Sequence, residues 1–160
     1  MNDPLLKLLQ RKARYTNEEL AEALSLTPAE VSQQIAAWEE DGTIRGYQAV
    51  IDDEKTADFG VSAFIEVKVT PERGGGFDRL AKRVARFDQV DSCYLASGGY
   101  DLMVVVEGKD LREVAQFVSE KLSSLDGVLS TATHFRLKAY KEKGFIFESE
   151  EPEGRLPVTP

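Results

Sequence analysis

The chain's 160 residues, 42 % hydrophobic and 30 % charged, describe a globular protein of one ordinary domain or two small ones and exclude a disordered chain. With no apolar run near the roughly 18 residues of a membrane span, no basic-then-apolar leader and a lone Cys93 that closes no internal disulfide, the expectation is a cytoplasmic protein without a membrane partner. A formal net charge of −8 weighs against nucleic acid, since non-specific affinity for duplex DNA comes from Lys and Arg displacing its counterions.

Asp3-Pro4 reads as a helix N-cap followed by Pro at the first helical position, where its missing N–H is harmless. Leu5, Leu6, Leu8 and Leu9 supply an apolar face. Thr16 opens a second helix, Glu19 completes its capping box, and Leu20, Ala21, Ala23 and Leu24 follow. After the short Ser25-Leu26 turn, Thr27-Pro28-Ala29-Glu30 combines cap, proline and capping-box acid a third time. Val31, Ile35 and Trp38 then share one helical stripe, which makes Trp38 core rather than a stacking platform for bases. Gly42 suits the left-handed position that ends a helix. Thr43 to Ile51 alternates enough to predict a strand, a wing or a linker. Three helices with a tight second connection form a helix-turn-helix unit over residues 1–52, trailing strand included.

Residues 53–61 are polar and acidic and read as a linker. Then the period changes. Val61 to Val69 alternates, with Ala63, Ile65, Val67 and Val69 on one side and Phe64, Glu66 and Lys68 on the other. Pro71 to Gly76 is a loop; Phe77, Leu80, Val84 and Phe87 make a helical stripe. Val90 to Ala96 predicts a strand, Gly98-Gly99 a turn, and Leu102 to Val106 a strand apolar on both faces. Leu111, Ala115, Val118, Leu122 and Leu125 are the expected stripe of a second helix, and Val128 to Leu137 the last strand. Residues 62–140 thus read β-α-β-β-α-β, the ferredoxin-like order, and the fold class is α+β. In residues 141–160, KEKGFIFE predicts a short strand or swapped arm and SEEPEGRLPVTP an acidic tail without periodicity. Two helices cover only one face of a four-stranded sheet. The strand that is apolar on both sides therefore predicts a second cover, most simply the same sheet of another copy, and hence a homodimer.

Two stretches give the chain a family likeness. One is ELAEALSLTPAEVSQQIAAWEEDGTIRGYQAVID, with its ELA, its Thr-Pro cap and its EEDGTIRGY exit; the other is VDSCYLASGGYDLMVVVEGKDL, with the Gly98-Gly99-Tyr100-Asp101 hairpin. In this order and spacing the chain resembles the Lrp/AsnC (feast/famine) transcriptional regulators over about residues 1–140. These join a helix-turn-helix to an amino-acid-sensing domain often called RAM. The resemblance implies double-stranded DNA and an amino-acid or small-metabolite effector as partners, and dimers, octamers or higher assemblies. This chain departs from the family pattern twice. Its recognition helix carries Val31, Ser32, Gln33 and Gln34 where the family commonly places Arg, and its first helix lacks the usual Leu-Asp-x-x-Asp opening.

On that likeness Ser32, Gln33 and Gln34 are the candidate base readers, because Gln pairs bidentately with adenine and Ser contacts several bases. Holding the backbone needs charge but no sequence; Arg45, Arg11, Lys12 and Arg14 are the candidates. Ser and Gln are also what any solvated helix face carries, and the basic cluster is equally an ordinary helix end. Several subunits binding together would strengthen a weak contact. An amino-acid effector needs N–H donors for its carboxylate and an acceptor for its ammonium. The resemblance gives these roles to Gly98, Gly99, Tyr100 and Asp101, and also to Thr131 and Thr133; the plainer reading is a tight turn closed by Asp101. Gly74-Gly75-Gly76 lacks the Lys-Ser/Thr of a phosphate loop. His134, the only His, reads as a structural strand residue, and no nucleophile stands beside a base. No catalysis, cofactor or metal is expected. Two other functions compete: a ligand-binding oligomer whose helix-turn-helix no longer engages DNA, favoured by the acidic charge, and an enzyme resembling the siroheme decarboxylases, disfavoured by the single His.

Overall fold

Each predicted cap is made. The computed structural model describes residues 3–56, 60–71 and 76–147; residues 57–59 of the linker, Gly74 and Gly75, and the acidic tail from Glu148 lie outside them. The Asp3 carboxylate accepts from the Leu5 and Leu6 N–H groups at the start of α1 (Pro4–Arg11). Both capping boxes close reciprocally, Thr16 with Glu19 on α2 (Asn17–Leu24) and Thr27 with Glu30 on α3 (Pro28–Glu40). The Thr27 backbone N–H, then its hydroxyl, holds the Glu30 carboxyl below its ordinary value of 4.5. That cap therefore contributes at neutral pH and is lost as the pH falls through the carboxylate range. Leu5, Leu20, Ala21, Val31 and Trp38 are buried together, with Ile35 and Ile44 packed against them.

The chain forms two units. One comprises residues 1–51 and the segment from Lys141 onward; the other is Asp52–Tyr140. Within the first, the predicted strand Thr43–Ile51 does not form. Gly42, at φ +75°, turns the chain out of α3, the Thr43 N–H donates to Asp41 Oδ1, and the Ile44 N–H returns to the Trp38 carbonyl. Beyond Ile44 no other described segment pairs with this stretch as a strand, so its alternation has no ladder to enter. Tyr47 and Ile51 stay half exposed. The unit's one described hairpin comes from the chain's other end: β5 (Lys141–Glu142) pairs antiparallel with β6 (Phe145–Ile146).

The second unit is a four-stranded antiparallel sheet in the order β2-β3-β1-β4, with β1 Val61–Val69, β2 Val90–Leu95, β3 Leu102–Gly108 and β4 Val128–Phe135. Helices α4 (Asp78–Val84) and α5 (Leu111–Gln116, running on as a π-wound turn, Phe117–Leu122) complete the β-α-β-β-α-β order. The predicted alternation of β1 holds: Ala63, Ile65, Val67 and Val69 are buried, and their partners Val106, Val104 and Leu102 on β3 are fully buried beside them. The stripe of α5 differs from its prediction. Val114, Phe117, Leu122 and Leu125 face the core, while Leu111 is 56 % exposed and Ala115 is exposed. The helix widens to a five-residue step between Phe117 and Leu122, which aligns those two large side chains. An unbroken 3.6-residue period cannot anticipate that step.

Replacing Leu122, fully buried at the π turn, by Ala is expected to cost roughly 2–5 kcal/mol. Leu111→Ala should stay within about 0.5 kcal/mol of the parent. Denaturant midpoints read both; equal losses would restore the originally expected stripe.

Candidate DNA-contact and effector sites

The start of α3 presents Ser32, Gln33 and Gln34 outward, all three exposed, because Val31 one residue earlier and Trp38 two turns later are drawn into the core. The acids around them are largely occupied in local structure. Glu19 and Glu30 serve the capping boxes, Asp41 holds the Thr43 N–H, and Glu39 accepts from the Tyr47 hydroxyl at 2.9 Å. Burial first, and then Glu39, raises the Tyr47 pKa, so this phenol stays a donor. The acidity of the helix-turn-helix is in good part the chemistry of its helix ends.

The basic candidates are gathered. Arg11, Lys12, Arg14 and Arg45 all line one cleft of about 680 Å³ between the end of α1 and residues 43–50, floored by apolar groups such as Leu6, Leu9 and Ile44. No carboxylate lines it, and no residue of α3 does. The Arg45 guanidinium lies against Gly42: a side chain there would begin 3.0 Å from the Arg45 Cζ. Glycine thus serves both the turn and the seat of this cation at the C-terminal end of α3, where the helix dipole favours positive charge. Lys12 stacks over the Tyr15 ring at 4.4 Å.

In the second unit the hairpin residues hold a defined structure. Gly98 sits at φ +139° with open space where a side chain would be, and Gly99 is equally open. The Ala96 N–H donates to the Asp101 carbonyl, the Asp101 N–H donates to the Val67 carbonyl, and the Val69 N–H donates to Asp101 Oδ2 at 2.9 Å. Asp101 therefore carries the β3–β1 ladder one step beyond its last backbone pair and satisfies an N–H beside the β-bulge at Lys68/Val69. Thr131 and Thr133 are placed elsewhere. They pair with Val67 and Ile65 on the helix-covered side of β4, two strands from β3, and Thr131 Oγ1 is 3.2 Å from Ser123 Oγ.

Sequence reasoning missed a second cleft, about 740 Å³, at the opposite end of the sheet, where Asp53, Asp88, Glu107, Glu113, Lys109 and Arg136 meet. Two of its acids are held by donors within it. Arg136 Nη2 donates to Asp53 Oδ2 at 2.6 Å, and Glu113 Oε2 accepts from the Lys109 N–H. It ties the start of the unit to its last strand. Elsewhere, His134 pairs with Glu66 across β4 and β1 at 3.5 Å, and burial pushes the half-buried Cys93 thiol up. Among the described residues no cluster of His, Cys, Asp or Glu has metal-site geometry, and no helix is long and apolar enough to cross a membrane.

Comparison with known proteins fixes the family. Residues 5–45 match the winged helix-turn-helix DNA-binding family, and residues 62–145, more than half the chain, match the Lrp/AsnC ligand binding domain. The chain belongs to the Lrp/AsnC family. Among Lrp/AsnC relatives, a Bacillus subtilis (strain 168) protein described as an uncharacterized HTH-type transcriptional regulator, YugG, is 45 % identical over 157 residues, 98 % of this chain and 95 % of that protein. A proline dehydrogenase transcriptional activator of Rhodobacter capsulatus is 30 % identical over 139 residues, 87 % and 90 % of the two chains. The crystal structure of a Neisseria meningitidis transcriptional regulator in complex with L-Met superposes with a TM-score of 0.69 at 28 % identity, covering 89 % of this chain and 94 % of that one. This chain is accordingly an Lrp/AsnC-type transcriptional regulator with a helix-turn-helix and a ligand-binding domain.

Because the Asp101 carboxylate holds the Val69 N–H, Asp101→Ala leaves a partly buried donor unpaired and should cost about 1–3 kcal/mol with no effector present. Asp101→Asn keeps an acceptor oxygen and should retain most of that stability. Thermal unfolding of the two variants decides; equal stability of Asp101→Ala and the parent would deny Asp101 its structural part.

Proposed function

We propose that this regulator binds duplex DNA sequence-specifically in the cytoplasm as a homodimer or larger assembly, and that an amino acid or related small metabolite modulates the binding. Ser32, Gln33 and Gln34 read base edges. Arg11, Lys12, Arg14 and Arg45 hold phosphates. The observation that carries the DNA reading is the charge segregation of the first unit: a chain of net charge −8 keeps four cations around one cleft lined by no carboxylate. Sequence-blind grip and sequence reading then fall to different elements, as they do in protein–DNA contacts generally. An uncharged recognition helix is compatible with that division.

For the effector, the open surroundings of Gly98 and Gly99 support a site where backbone N–H groups meet a carboxylate and Asp101 meets an ammonium. Thr131 and Thr133, displaced from the hairpin within one chain, fit such a site less well. The likeness to a relative crystallised with L-Met favours an amino acid as the ligand class. The uncovered sheet face supports the homodimer: Phe64 opposite Val105 and Met103 opposite Tyr94 are half-buried or exposed apolar pairs, an arrangement that a second copy of the same sheet would cover.

The test is a binding titration on the region upstream of the protein's own gene against a scrambled duplex. Gln33→Ala with Gln34→Ala should abolish the preference for the native duplex while leaving scrambled binding intact. Arg45→Ala should weaken both and make the dependence of log K on log salt shallower by about 0.9. An unaltered preference in the double variant would remove the base-reading role.

A further inference from the structure

The C-terminal hairpin belongs to the DNA-binding unit. Its turn, Lys143-Gly144, has both residues at positive φ, +46° and +94°, as a two-residue type I′ hairpin turn requires. Lys143 Nζ donates to Gln48 Oε1 at 2.6 Å, a contact between residues 95 positions apart. Lys143 and Phe145 line the same cleft as Arg11, Lys12, Arg14 and Arg45. Lys143 is thus the fifth cation on that cleft. Its partner, the Gln48 side chain, is a neutral amide, so its charge is positioned without being cancelled, and an ammonium has two further N–H donors to offer.

The stretch after α3 that the sequence reads as a strand, either wing or linker, forms no hairpin, whereas β5 and β6 place one in the same unit. We propose that the β5–β6 hairpin is the wing of this helix-turn-helix, with Lys143 at its tip contacting the phosphate backbone of the bound duplex. The inference rests on the DNA reading above. Lys143 is a compact point charge, and a phosphate contact carries no base information; its contribution is the same on every sequence. Phe145 lines the cleft beside the tip, and Gln48 holds the tip through the Lys143 ammonium. A family likeness centred on the sensing domain extends through residue 145, yet residues from Lys141 group with the helices. Residues 141–147 thereby belong to the DNA-binding unit.

The experiment uses the full chain, with anisotropy titrations on the upstream duplex and on a scrambled duplex across about 50–200 mM salt. Lys143→Ala should weaken both duplexes alike and make the salt slope shallower by about 0.9; Lys143→Arg should restore the slope. Lys82→Ala, which removes an exposed cation on α4, should leave the slope at the parent value and controls for net charge. Should Lys143→Ala keep the parent slope while Arg45→Ala flattens it, the hairpin is no wing and the DNA reading stands. A loss confined to the upstream duplex would also overturn the proposal, since a phosphate contact is blind to sequence. If the parent chain binds neither duplex at low salt, the DNA reading fails and this inference falls with it.

Discussion

Two helices can dry only one face of a four-stranded sheet, and the uncovered face here is not built for water. On the covered face Ile65, Val67, Leu102, Val104 and Val106 lose all exposure to α4 and α5. On the other, Phe64, Met103, Val105 and Tyr94 alternate with them along the same strands and find no cover among the described residues of this unit. Burying such a face supplies the dominant favourable term of association. A two-fold pairing needs only that one patch complement itself. Glu66 and His134, paired at 3.5 Å on this face, give it a polar element that another copy would have to accommodate.

Everything proposed for DNA depends on that pairing. A helix offering Ser and Gln reads bases with hydrogen bonds that water also satisfies, and the net gain per contact is small. Joining two such heads makes the second contact intramolecular. In the proposed complex the five cations on the cleft of the first unit would supply the sequence-blind grip. Several acids of that unit have local structural work: Glu19, Glu30 and Asp41 hold N–H groups at helix ends, and Glu39 receives a tyrosine hydroxyl.

Much of this was legible in the sequence because it is written in local chemistry. Asp3-Pro4, Thr16 with Glu19 and Thr27 with Glu30 specify helix starts within four residues, and all three form as read. The period-2 pattern of Val61–Val69 needs nothing beyond itself to separate the two faces. What escaped was non-local. The strand expected over Thr43–Ile51 has the right alternation, but a strand exists only with a partner, and alternation does not supply one. The stripe of α5 slipped because a π turn changes the helical period between Phe117 and Leu122. Asp101 was read as a ligand anion or a turn closer. Its bond to the Val69 N–H joins residues 32 apart, and no spacing rule reports that. Thr131 and Thr133 came from family likeness alone; their place on the helix-covered side of β4 is set by strand register, which the likeness does not report. The place of Lys143 beside the basic cleft was not legible either, because its link to Gln48 joins residues 95 positions apart.

Sedimentation equilibrium of the purified chain at micromolar concentration, beside a variant carrying Val105→Glu on the uncovered face, addresses the pairing of sheets most directly. A parent mass of two chains or an even multiple, falling to a smaller species in the variant with the helical signal retained, is the predicted result. A parent that sediments as one chain would contradict it.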